Sequence, residues 1–374
     1  MHVGLYLAPQ TSGEREDLAN IEAIVEQAVE ADEAGFSTIY LTEHHFDDYN
    51  TYGDSIILGA HLAGKIKRAW LATSVSLVTL HHPVRLVESF NLLDALCRGR
   101  VIFGLAGGGG PAMYEGLGRD PELRRDALDQ TIEAMLRIWA RTASAPPLEL
   151  ETVYDRARLT GRVMPAPYRR PHPYLARATN SDATMRAFAE RGWPVMLGRL
   201  PADRMGQATR LYRSALEGAG HPPDTVRWCV QWMASTKMVY VGATDEQARA
   251  EAEGPMRRYF ELIGRTFHPG SNTSRFGGLD GADVAREARS YEEFIQAAWL
   301  VGSPETVLKG LKAYEAEGVP QMRLWFTFGP GCPHEYFRRS FHLFVREVLP
   351  QLRPEPIWDP QPQTTISGLA ATAS

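Results

Sequence analysis

Short apolar runs alternate along the chain with longer segments in which apolar residues recur at the helical period. Val3 to Ala8 is such a run, closed by Pro9. After it, Leu18, Ile21, Ile24, Val25 and Ala28 share one helical face in the segment Leu18 to Ala34, and Gly35 marks its stop. Thr38 to Leu41 and Ser55 to Lys67 read as the next strand and helix, and Leu71 to Val78 with Val84 to Leu96 as the third pair. Val101 to Leu105 opens a fourth unit, continued by a glycine run and a helix from Leu123 to Trp139. Strands are also expected at Tyr174 to Ala178, at Val195 to Leu197 and within Val226 to Val241, each followed by a helical pattern, and finally at Met322 to Phe326. This alternation predicts an α/β chain closed as a (β/α)8 TIM barrel with insertions. An open doubly wound sheet would place a glycine-rich turn after the first strand, and LAPQTSG is not one.

Two stretches exceed an ordinary strand-to-helix connection. Ser144 to Pro173 contains LELETVYDRARLTGRVM, patterned for a small hairpin, and Gly264 to Arg289 is rich in Gly, Ser, Asn and Asp and is expected to be a mobile lid. The expected organisation is one domain over 1–352, the lid at 264–289 within it, and a flexible tail over 353–374, where Pro, Gln, Ser, Thr and Ala dominate.

Charge narrows the partners. A net charge of -5 and a pI near 6.1 give no basic field for nucleic acid, so a small-molecule role is expected. No apolar stretch is long enough to span a membrane. Cys97, Cys229 and Cys332 are scattered without CxxC spacing, which argues against a disulfide framework or a cysteine-held metal and fits a reducing cytoplasm.

The stretch LTEHHFDDYNTYGD follows the second strand directly. The strand exits of a parallel barrel form its active end, so His44 and His45 stand where proton-transfer chemistry would be placed. Two other readings stay open: both rings hydrogen-bonding Glu43 and the loop backbone, or a metal shared with Asp47 or Asp48. The second is weakened because neighbouring side chains on an extended segment point apart. Phe46, Tyr49, Tyr52, Tyr114, Trp193, Trp232 and Trp325 lie near expected strand ends and would suit an aromatic wall beside an apolar substrate, though each taken singly is more often core.

Three pieces, EAGFSTIYLTEHHF, HHPVRLVESFNLLDALCRGRVIFGLAGG and ATNSDATMRAFAERGWPVML, occur in an order and spacing that resemble the bacterial luciferase-like family of flavin-dependent monooxygenases. The resemblance spans nearly the whole folded chain. It implies an enzyme that receives reduced FMN (FMNH2) from a separate flavin reductase, adds O2 as a flavin C4a peroxide and oxygenates a small organic substrate. His44 matches the family's catalytic histidine. Arg125 matches an arginine on the flavin phosphate, Asn180, Ser181 and Thr184 match the phosphate-binding turn, and Ser74 and Val75 match a non-proline cis peptide beneath the flavin ring. Gly107 departs from the pattern, because the family usually has an arginine there. Arg177 or an arginine of the 156 to 170 excursion would replace it, or the glycines Gly107 to Gly110 would cradle an anion themselves.

The resemblance also implies a homodimer built from the second and third barrel helices, and in SIILGAHLAGKI the small residues Gly59, Ala60, Ala63 and Gly64 permit close approach. His81 and His82, ahead of Pro83, are expected to be structural residues at a helix start. A deazaflavin (F420)-dependent oxidoreductase and a non-catalytic flavin-binding protein are the alternatives that the same resemblance leaves standing.

Overall fold

The computed structural model describes residues 1–142, 144–266, 291–327 and 329–361. Its centre is a nine-stranded sheet, parallel at every pairing, in the order β10-β9-β11-β1-β2-β3-β4-β7-β8. The strands are β1 (His2–Leu7), β2 (Thr38–Leu41), β3 (Trp70–Leu77), β4 (Val101–Ala106), β7 (Tyr174–Ala178), β8 (Val195–Met196), β9 (Ala234–Val241), β10 (Trp299–Gly302) and β11 (Gln321–Trp325). Most are near-continuous apolar runs, as strands covered on both faces must be. Side chains link the β8 edge of the sheet back to β9 and β11. From β11, Arg323 donates to the Leu197 carbonyl just beyond β8 and, at 3.1 Å, to the Ala234 carbonyl at the start of β9. Among the described residues no ladder hydrogen bonds join β8 to β9, so side chains complete the barrel there: Ser235 Oγ donates to the Leu200 carbonyl at 2.7 Å.

Helices follow the strands for local reasons. Helix α1 (Glu14–Ala34) stops at Gly35, whose φ of 94° suits glycine. Helix α2 (Ser55–Ala63) is capped by the Asp54 carboxylate, which accepts from the Ile56 and Ile57 N–H groups at 2.9 Å. Helix α3 (Pro83–Leu96) begins on Pro83, with the His82 side chain as its cap. Helices α4 (Pro111–Gly116), α5 (Arg124–Ala140), α6 (Asp182–Glu190), α7 (Ala202–Gly218), α8 (Pro223–Val230) and α9 (Asp245–Thr266) continue the pattern. No described helix is long and apolar enough to cross a membrane.

The expected hairpin is present as β5 (Leu148–Glu151) paired antiparallel with β6 (Arg156–Leu159). Strand β10 was not foreseen: its four residues, WLVG, run on directly from the helix Tyr291–Ala298, so a sequence pattern shows one apolar block. The expected lid at 264–289 lies outside the described residues beyond Thr266, the end of α9. The tail expectation is corrected for 353–361. Ile357 is buried, the Trp358 N–H and carbonyl bond the Gln231 amide at 3.0 and 2.8 Å, and Asp359 pairs with the buried Arg169. One aromatic, one aliphatic and one acid are enough to fix a segment whose average composition is that of a loose tail.

Candidate active site

A cavity of about 650 Å³ opens at the C-terminal ends of the strands, within the size range of small-molecule sites. The loop after β2 enters it first. His44 lines the cavity and its Nδ1 lies 2.9 Å from Asp47 Oδ2, while its ring lies 4.4 Å from that of Tyr49. A carboxylate on Nδ1 fixes the tautomer that carries a proton there, the arrangement in which Nε2 can exchange a proton with a ligand.

His45 turns the other way, as alternation along an extended segment requires. Its Nε2 sits 3.0 Å from Glu43 Oε1, and His81 Nε2 sits 2.7 Å from the same oxygen; Glu43 Oε2 accepts from the Leu77 N–H at 3.0 Å. Burial opposes the charge on Glu43. The hydrogen bonds from His45 and His81, the His81 charge and the Leu77 N–H outweigh it and lower the carboxyl to about 2. Burial likewise opposes protonation of His81, but the Glu43 carboxylate raises its pKa. Glu43 thus ties the β2 exit to the end of β3 and to the turn before α3. His45, expected as a catalytic partner of His44, serves that brace instead. Among the described residues no cluster of three metal-ligating side chains forms, and the two histidines part to different carboxylates.

Strands β3 and β4, with helices α4 and α5, supply an apolar wall. Val75, Leu77, Ala106, Met113 and Leu128 line the cavity, and the Ser74–Val75 peptide is cis. The Gly107 carbonyl accepts from Thr79 Oγ1 at 2.8 Å and from the Tyr114 hydroxyl, so Tyr114, expected against substrate, is a buried prop below the glycine run. A Cβ on Gly107 would meet nothing closer than 3.6 Å, whereas Gly108, at φ 76°, occupies a conformation that favours glycine.

The next wall is cationic. Arg124, Arg125 and Arg177 all line the cavity, together with Asn180 and Ser181 at the start of α6. Arg124 is buried and donates to the Pro121 carbonyl; Arg177 donates to the carbonyls of Leu105 at 3.1 Å and Ala178 at 2.6 Å. Burial lowers the Arg177 pKa, opposed by the charge of Asp129. Ser181 caps α6 by accepting from the Thr184 N–H at 3.4 Å, and Asn180 Oδ1 accepts from the Gly198 N–H at 2.9 Å. Thr184 contributes only that backbone group and does not line the cavity.

Other sequence candidates fall elsewhere. Tyr49 lines the cavity. Phe46 is 67% exposed and leans on Gly116 outside it. Tyr52 donates to the Leu7 carbonyl at 2.6 Å and accepts from the Thr42 N–H, a buried brace. Trp193 and Trp232 precede β8 and β9, so they stand at the opposite end of the sheet. Trp193 packs on Phe188 and His172, and Trp232 on Trp70 and Trp228. Trp325 ends β11 and lies under Tyr6, Tyr49 and Tyr259. Sequence reading missed Arg199 and Arg323, both buried and both lining the cavity; an isolated arginine in an apolar context carries no motif.

Comparison with known proteins follows the same outline. The model of a family described as luciferase-like monooxygenase matches residues 1–321. The chain is 24% identical to 3,6-diketocamphane 1,6-monooxygenase of Pseudomonas putida, over 94% of this chain and 98% of that one. In fold it is similar to the monooxygenase RslO1 from Streptomyces bottropensis, with TM-score 0.74 and 24% identity over 94% of this chain and all of the other (100%). It is also similar in fold to the oxygenating constituent of 3,6-diketocamphane monooxygenase from Pseudomonas putida, solved in complex with FMN, with TM-score 0.72 and 23% identity over 94% and 99% of the two chains.

Proposed function

The chain belongs to the luciferase-like monooxygenase family, and on that footing we propose that it is the oxygenase of a two-component system, using FMNH2 from a separate flavin reductase and O2 to oxygenate a small organic substrate. The observation that carries the reading is the division of one cavity into an apolar wall, a cationic wall and a carboxylate-held histidine. These residues fit the cofactor. Arg125, Arg177 and the N-terminus of α6 would hold its phosphate dianion, and Val75, Leu77 and Met196 would face its flat ring.

Reduced FMN, when bound, supplies the electrons by which dioxygen is activated. Ring orientation falls to the wall at Val75 and Ala106. His44 holds Nδ1 against Asp47 and moves a proton through Nε2, a role typically worth roughly 10²- to 10⁴-fold in rate. Tyr49, packed on the His44 ring, borders the substrate. In this reading the protein works in the cytoplasm as a homodimer joined through α2 and α3, where Ile57, Leu92 and Leu96 present exposed apolar side chains.

Anaerobic titration with reduced FMN and with the reduced deazaflavin coenzyme F420, followed by mixing with oxygenated buffer, tests the proposal. Reduced FMN is expected to bind at least tenfold tighter and to consume oxygen on the protein. His44→Ala is expected to leave that affinity within about twofold while lowering product formation by at least about a hundredfold. Preferential binding of the deazaflavin, or unchanged product formation by His44→Ala, would contradict it.

A further inference from the structure

Arg199 leaves the end of β8 and reaches across the barrel mouth to the loop after β2. It is only 9% exposed, yet it lines the cavity. Its guanidinium donates to the Tyr259 hydroxyl at 2.9 Å and to the Tyr49 hydroxyl at 2.8 Å, and it lies 5.1 Å above the Trp325 ring. A guanidinium offers five N–H donors in a planar fork. Here it is paired with two neutral hydroxyls, and among the described residues no carboxylate forms an ion pair with it. Burial opposes the Arg199 charge and the Tyr259 and Tyr49 hydroxyls favour it, raising its pKa, while the nearby cations add charge of the same sign: Lys237 is lowered to about 8 by burial and by the charge of Arg199, and the Arg199 charge also acts to lower Arg323. A buried cation among cations is costly unless an anion completes it.

The groups proposed for the flavin phosphate stand elsewhere on the cavity, with Arg125 on α5, Arg177 in β7 and Ser181 at the start of α6. Arg199 shares Tyr49 with His44, whose ring lies 4.4 Å from the Tyr49 ring, so whatever Arg199 binds sits beside the proton-transferring group. Resting on the proposed flavin-dependent reading, we infer that the substrate is a small organic acid whose carboxylate is held by Arg199, with Tyr49 and Tyr259 fixing the orientation of the guanidinium fork. A planar carboxylate matches that fork with two parallel hydrogen bonds.

Calorimetric titration of the purified chain, with and without FMN, tests this with benzoate, cyclohexanecarboxylate and octanoate against their primary amides. At least one acid should bind at least tenfold tighter than its amide. Arg199→Gln should abolish that preference while leaving FMN affinity, read from flavin fluorescence, within about twofold; Arg199→Lys should keep part of it. Should Arg199→Gln fail to fold, Tyr259→Phe must weaken acid binding about threefold or more without weakening the amide. Equal binding of acids and amides, no binding of any acid, or a preference surviving in Arg199→Gln would overturn the assignment. Acid binding in a chain that takes no FMN would sustain the acid site and defeat the flavin reading alone.

Discussion

Glu43 accepts hydrogen bonds from two imidazoles and a backbone N–H while only 3% exposed. Glu43→Gln is expected to cost roughly 1.5–3 kcal/mol of stability, the scale of hydrogen bonds to a charged group. The loss should depend on pH. Glu43 is depressed from 4.5 to about 2, so its contribution is complete above 4.5 and vanishes as pH falls through 2. His81 is raised above 6.5, so its contribution is complete below 6.5 and is lost as pH rises through the elevated value. Urea unfolding of both proteins at several pH values should therefore show the largest difference between about 4.5 and 6.5; a difference flat across pH would refute the pairing. At this scale the sequence was partly legible. His44 could be placed because a strand exit names its end of the barrel. Trp193 and Trp232 could not, because nearness to a strand in sequence does not say which end, and both enter strands where His44 leaves one.

Helix α2 carries a small-residue stripe that suggested close packing against a second molecule. The structure divides that stripe. Gly59 faces inward, where an added Cβ would meet Leu93 at 3.1 Å and Leu41 at 3.3 Å, so it serves the packing of α2 on α3 and β2. Ile57 on α2 is 70% exposed, and on α3 Leu92 is 52% and Leu96 49% exposed. Sedimentation velocity at micromolar concentration is expected to show a dimer, and Ile57→Asp with Leu92→Asp a monomer that still binds FMN. A wild-type monomer would remove α2 and α3 from the assembly. The helix start at Pro83 was readable, because the chemistry of a helix's first turn is local. Strand β10 was not, because nothing in WLVG separates the strand from the helix before it.

Across the whole molecule, the alternation of apolar runs and helical periods was enough to read the parallel sheet and its active end, because each unit follows from neighbours close in the chain. Closure was expected from the count of units, but the side chains that make it were not readable, since Arg323 joins Leu197 and Ala234 across long sequence separations. The grouping of Arg125, Arg177 and the start of α6 at one wall was expected only through the family resemblance, because no local pattern joins three such distant segments. The central claim, that this wall holds a flavin phosphate, is tested most directly by the anaerobic affinities of reduced FMN and reduced riboflavin for the wild type and for Arg125→Ala. The account predicts that the wild type prefers reduced FMN, and that Arg125→Ala loses roughly 1.5–3 kcal/mol for reduced FMN with riboflavin unchanged. Equal affinity of the wild type for both, or an equal loss for both in the variant, would contradict it.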